Sequence, residues 1–195
     1  MSARISNDGW ELRYLPGEVR AAVDGRKIRG LAIVFDSRSV DLGGFTEIIK
    51  PSAVDRTIRE GLDVRALVNH IDDKVLGRTT AGTLAMRKTR KGLEVEIDPD
   101  QEISYARDIM RSVERGDVTG MSFRFRTIED DWHMEDGDPV REVMDMTVNE
   151  VSIVTFPAYP ATDVQIAQRS LQQFREQATG SRLEFLRKRL RNRAR

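Results

Sequence analysis

The chain has 195 residues, 39% of them hydrophobic and 33% charged, with 32 Lys and Arg set against 32 Asp and Glu. That is enough apolar material for one well-buried core, and the charge balance excludes wholesale attraction to nucleic acid or an anionic membrane. Cysteine is absent, which excludes a disulfide framework, a thiol nucleophile and a thiolate metal site, and suits a reducing cytoplasm.

The polar start, Met1 to Trp10, lacks the apolar run of a signal peptide, and no later stretch approaches the roughly 20 apolar residues of a membrane span. The chain therefore reads as soluble and intracellular. Ile28 to Phe35 (IRGLAIVF) is a short run rich in branched residues, followed by a turn-rich stretch, as expected of a buried strand. Phe45 to Ile49 reads as a second strand. In AVDRTIREG, Val54 and Ile58 are four apart and Gly61 can end a helix, so a short helix is expected there. Val64 to His70 is again strand-like, with Ile71 to Lys74 read as a loop. Between Thr83 and Ile97, Leu93, Val95 and Ile97 alternate with Glu94 and Glu96 behind Lys91-Gly92, the signature of a two-sided hairpin.

Ile103, Ala106, Met110 and Val113 recur at three- and four-residue spacing before Gly116 and predict an amphipathic helix over 102–115. Two strand-like segments, 119–128 and 141–156, flank an acidic turn-rich stretch around Glu135 to Pro139 and suggest an antiparallel pair. Many short strands, few helices and no parallel βαβ repetition predict a mainly β chain with flanking helices (α+β), closed or nearly closed into a β-barrel. Pro157 and Pro160 end this body, giving a domain over 1–162. Residues 163–195 then form a helical tail, with stripes at Ala167, Leu171, Phe174 and Ala178 and at Leu183, Leu186 and Leu190, ending in a basic run from Arg187 to Arg195.

Only two histidines occur, His70 and His133. His70 ends an apolar strand at a loop mouth, where a base could reach substrate; His133 lies beside Trp132 in the acidic stretch. On the residues alone either one reads as an ordinary satisfied or exposed histidine. In TGMSFRF, period-two alternation sends Met121, Phe123 and Phe125 to one face and Ser122 with Arg124 to the other, so Ser122 is expected to face solvent or a cleft. A polar residue on a wet strand face is an equal reading of that pattern. Glu150 is a carboxylate in an apolar strand and needs a partner, with a neutralising arginine the simplest one.

Taken in order, RGLAIVFDSRS, LVNH with a following LGRT, TGMSFRF and NEVSIVTFPAYPAT resemble the prohead proteases of tailed bacteriophages, a family related in fold to the herpesvirus assemblins. The likeness covers approximately Gly30 to Thr162. It implies a β-barrel flanked by helices, with the serine on the strand after the helix as nucleophile and the upstream strand-end histidine as its base; by position these are Ser122 and His70. The herpesvirus relatives use a second histidine as third member, and at the matching segment this chain offers Glu150. Ser152 and Ser104 lie near the motifs without matching the nucleophile position. The resemblance further implies a serine endopeptidase that needs no cofactor or metal and works inside the assembling procapsid in the bacterial host cytoplasm. Its substrates would be the scaffolding region of the major capsid protein, or a separate scaffold, and itself. The C-terminal region would be a targeting or self-cleaved segment. The likeness leaves room for self-association, and nucleic acid is expected only weakly, through the basic tail. Two other readings compete: a metal hydrolase built on His70, Asp72, Asp73 and His133, which lacks any His-x-x-x-His pair, and a non-catalytic capsid-assembly scaffold on the same fold.

Overall fold

The structure is a computed structural model that describes residues 9–15, 19–21, 26–156, 167–177 and 179. In chain order its elements are β1 (Glu11–Leu15), β2 (Val19–Ala21), β3 (Ile28–Val34), β4 (Thr46–Ile49), a 3-10 turn at Pro51–Val54, α1 (Asp55–Arg59), β5 (Arg65–Val68), β6 (Ile71–Arg78), a 3-10 turn at Thr79–Ala81, β7 (Leu84–Lys88), β8 (Gly92–Ile97), α2 (Ser104–Arg115), β9 (Gly120–Glu135) and β10 (Asp138–Val154). One sheet runs β1-β9-β10-β5-β6, and the other runs β2-β3-β8-β7.

β9 and β10 form a long antiparallel hairpin that organises the first sheet. Asp136 and Gly137 sit at its tip with φ of +53° and +96°, the left-handed pair that a two-residue type I′ turn requires and that Asp-Gly supplies at little cost. The acidic stretch expected as a loop is thus drawn into the two strands on either side of this turn. The outer edge of β10 carries β4 along Val140 to Val143 and β5 along Glu150 to Ile153, both parallel. These parallel ladders arise through long connections, without the βαβ units whose absence was noted in the sequence.

The expected barrel does not form: the sheets are not closed into one. β1 and β6 bound the first sheet and β2 and β7 the second, and among the described residues no ladder joins the two. Closure needs the outermost strands to pair with a continuous stagger. Here the chain leaves β6 through the Thr79–Ala81 turn and Gly82, at φ +72°, and starts the second sheet. The mainly β, mixed α+β character stands.

Ile33, Leu93 and Val95 of the second sheet, Phe123, Val148 and Val151 of the first, and Ala106, Ile109, Met110 and Val113 of α2 share one core. α2 ends as its sequence predicts, on Gly116 at φ +78°. β3 and β8 approach so closely that a Cβ on Gly92 would lie 1.8 Å from the Ile33 carbonyl oxygen. Gly92→Ala is therefore expected to cost about 1–3 kcal/mol, read as a lower urea midpoint at unchanged slope.

Residues 167–177 are helical, and Ala167 and Leu171 are buried against Leu42 and Phe45, with Trp132 and Phe174 packed alongside. Trp132 Nε1 donates to Ser170 Oγ at 2.8 Å. The proposed boundary at 162/163 and the basic run from Arg187 to Arg195 lie outside the described residues.

Candidate active site

β5 and β6 are joined by Asn69 and His70 alone, because Val68 pairs with Ile71 across the turn. Both turn residues have positive φ, +49° and +59°, so this is again a type I′ reversal, with histidine where glycine is usual. Segment 71–74, read as a loop, is the start of β6. The turn is fixed to the end of β10: Asn69 N–H donates to Ile153 O at 2.9 Å, and Thr155 N–H donates to Asn69 Oδ1 at 2.9 Å. From this fixed point the imidazole folds back over the sheet, and its Nδ1 lies 2.8 Å from Glu150 Oε1.

Glu150 faces the imidazole because of a bulge. Val148 pairs with Phe125 and Glu150 with Arg124, with a register shift between them, so Asn149 is an extra residue on β10. Without it Glu150 would share the core face of Val148; with it Glu150 turns to the opposite face. The carboxylate is 1% exposed. Oε1 also accepts from Ser152 Oγ, and Arg124 Nε lies 3.0 Å from Oε2 as an ion pair, though its N–H is not aligned as a hydrogen bond. Both partners considered for this charge, histidine and arginine, are thus present.

Ser122 stands directly opposite Ser152 in the β9–β10 ladder, on the Glu150 and Arg124 face. Its expected outward exposure is not found: Ser122 is 0% exposed. At this point β9 is an inner strand, with β1 on its other side and Tyr14 opposite Ser122. The Tyr14 ring leans over Gly120, where a Cβ would meet it at 2.5 Å. Ser122 Oγ donates to the Arg13 carbonyl at 2.7 Å, and His70 Nε2 is buried with no hydrogen-bond partner among the described residues.

β1 itself is pinned by a buried charge network on the other face of the sheet. Arg141, 1% exposed, donates through Nη1 to Glu11 at 2.7 Å and Glu47 at 2.9 Å and through Nε to Asp130 at 2.7 Å, while Arg13 Nε donates to Glu47 at 2.7 Å. Burial pushes the Glu11 carboxyl up, but Arg13 and Arg141 outweigh it and hold it below its ordinary value. Burial likewise opposes the charge on Arg141, and Glu11, Glu47 and Asp130 overcome it and raise its pKa.

His133 is not part of this constellation. It lies on β9 opposite Val140, at the other end of the hairpin, with Nε2 3.7 Å from Glu135. Among the described residues no three His, Asp or Glu side chains converge as a metal site. No helix among them is long and apolar enough to cross a membrane. The loop from Pro157 to Thr162, which follows the Glu150 segment in sequence and is on that proximity a candidate for the donors an oxyanion needs, lies outside the described residues. Arg124 and Ser152 were not singled out for the site, although each lies two residues along a strand from a member of it, and period two places such neighbours on one face.

The family model described as caudovirus prohead serine protease matches residues 17–177, and the chain belongs to that family. No curated protein and no solved structure matches it. Membership makes it a protease of capsid maturation in tailed phages, with capsid proteins as its substrate class and the procapsid in the host cell as its place of action.

Proposed function

We propose that the chain is a serine endopeptidase whose nucleophile is Ser122, whose general base is His70 and whose orienting carboxylate is Glu150. The observation that carries this reading is the 2.8 Å bond from His70 Nδ1 to Glu150, which fixes the tautomer so that Nε2 presents a lone pair on the face occupied by Ser122. In this reading the Ser122 hydroxyl leaves the Arg13 carbonyl to donate to Nε2. His70 then takes the hydroxyl proton as Oγ bonds to the peptide carbonyl carbon. The proton passes to the leaving amine as the C–N bond breaks, and water resolves the acyl-enzyme. Glu150 stabilises the imidazolium between these steps.

The proposed substrates are the scaffolding region of the major capsid protein, or a separate scaffold protein, and the enzyme's own C-terminal segment beyond 162. Intact-protein mass spectrometry on wild type and Ser122→Ala, each co-expressed with the major capsid protein, tests this. Wild type is expected to shorten the capsid protein or itself, and the variant to lose about 10⁴–10⁶-fold in rate. Full-length chains in assembled wild-type shells would instead favour the non-catalytic scaffold.

A further inference from the structure

We propose that Ser152 is a positioning residue of this site, coupling the main chain of His70 to the carboxylate of Glu150 and so holding the imidazole in place. The inference rests on the Ser122, His70 and Glu150 reading. Ser152 is 0% exposed and stands in the ladder between Ser122 of β9 and Leu67 of β5. A buried hydroxyl is costly unless its donor and acceptor capacity are both used. Here they are: Oγ donates to Glu150 Oε1 and accepts the His70 N–H at 3.1 Å.

Two main-chain donors tie the Asn69-His70 turn to β10, Asn69 N–H to the Ile153 carbonyl and His70 N–H to Ser152. The second is the one that reaches the base itself. It acts at the residue held at φ +59°, where the backbone has most to gain from an anchor. Ser152 therefore fixes the imidazole from both ends, at its backbone through the N–H and at Nδ1 through the shared oxygen Oε1.

The same hydroxyl orients the carboxylate. Oε1 receives two hydrogen bonds, from His70 Nδ1 and from Ser152, which together hold it against the ring. Glu150 on β10 and Arg124 on β9 lie next to the ring. Asp72 on β6 lies 3.6 Å from Arg124, Arg65 on β5 is the ladder neighbour of Glu150 with its guanidinium 3.1 Å from Asp63, and Tyr14 stands on β1 across from Ser122. Removing the Ser152 hydroxyl takes one hydrogen bond from the His70 N–H and one from Oε1, so the turn and the carboxylate each lose an anchor.

The test is the steady-state kinetics of Ser152→Ala, measured on a peptide spanning a junction mapped by mass in the capsid protein. Expected is a kcat lowered about 10- to 100-fold with KM within about twofold. Ser152→Thr, which keeps the hydroxyl, should recover most of the rate. Wild-type kcat in Ser152→Ala, with Ser122→Ala inactive, overturns the positioning role and leaves the protease reading standing. Activity retained by Ser122→Ala and abolished by Ser152→Ala overturns both and makes Ser152 the nucleophile. Should Ser152→Ala not fold, Ser152→Cys fills the same space with a poor donor and acceptor, and a wild-type kcat from that variant also overturns the proposal.

Discussion

His70→Gly is expected to abolish proteolysis and yet to be more stable than the equally inactive His70→Ala by roughly 1 kcal/mol. Both variants remove the imidazole, so both lose the base and the bond to Glu150, and each should lose activity by about 10⁴-fold or more. They differ only at the backbone. His70 is the second residue of a two-residue reversal at φ +59°, a conformation that penalises any residue with a Cβ and that glycine adopts freely. For a chain of this length the difference corresponds to a melting temperature higher by about 2–4 °C in the glycine variant. Parallel thermal melts and capsid-cleavage assays on the two variants check it. Equal melting temperatures would mean that the turn does not constrain residue 70. Cleavage by either variant would remove His70 from the mechanism.

Arg141→Met is expected to cost about 3–5 kcal/mol, a large share of the stability of a single domain. Among the described residues Arg141 alone bridges Glu11, Glu47 and Asp130, and without it Arg13 faces two buried carboxylates. The pH dependence carries a distinctive sign. In wild type Glu11 sits below its ordinary value of 4.5, so its contribution is complete above that value and is lost as pH falls through the lower folded one. In Arg141→Met burial opposes ionisation of the uncompensated carboxylate with one partner fewer, and its folded pKa moves upward. The variant has less of this contribution to lose, so the gap between variant and wild type should narrow as pH falls below 4.5. Urea melts above and below that value measure it, and a constant gap would show that the network contributes packing alone.

Much of the molecule was legible because its elements obey simple periods. β3, β8, α2 and the β9–β10 hairpin follow from alternation or three-and-four spacing bounded by turn residues. β6 was hidden because its first three residues are exposed and two of them are aspartates, as an edge strand allows, and because Asn-His lacks the glycine that usually announces a tight reversal. Whether strands close into a barrel depends on which edges meet, and that is not a property of any one segment. The residues expected to carry the chemistry do come to one face of one sheet, but the arrangement that does this was only half visible. Unbroken alternation from Val148 would send Glu150 into the core; the extra residue at Asn149 reverses its face, and nothing in Asn-Glu-Val-Ser marks a bulge. Ser122 was expected in the open because alternation says which way a side chain points, while its burial depends on the strands and side chains that gather around it.

The chain uses one backbone device twice. At Asp136-Gly137 the two-residue reversal joins exposed strand ends, and extra residues there would hang in solvent. At Asn69-His70 the same reversal carries the imidazole, so inserting or deleting a single residue would swing it by several ångströms away from Glu150. Over generations of phage the first turn is free to vary in length, and the second is confined to two residues for as long as the enzyme must cut.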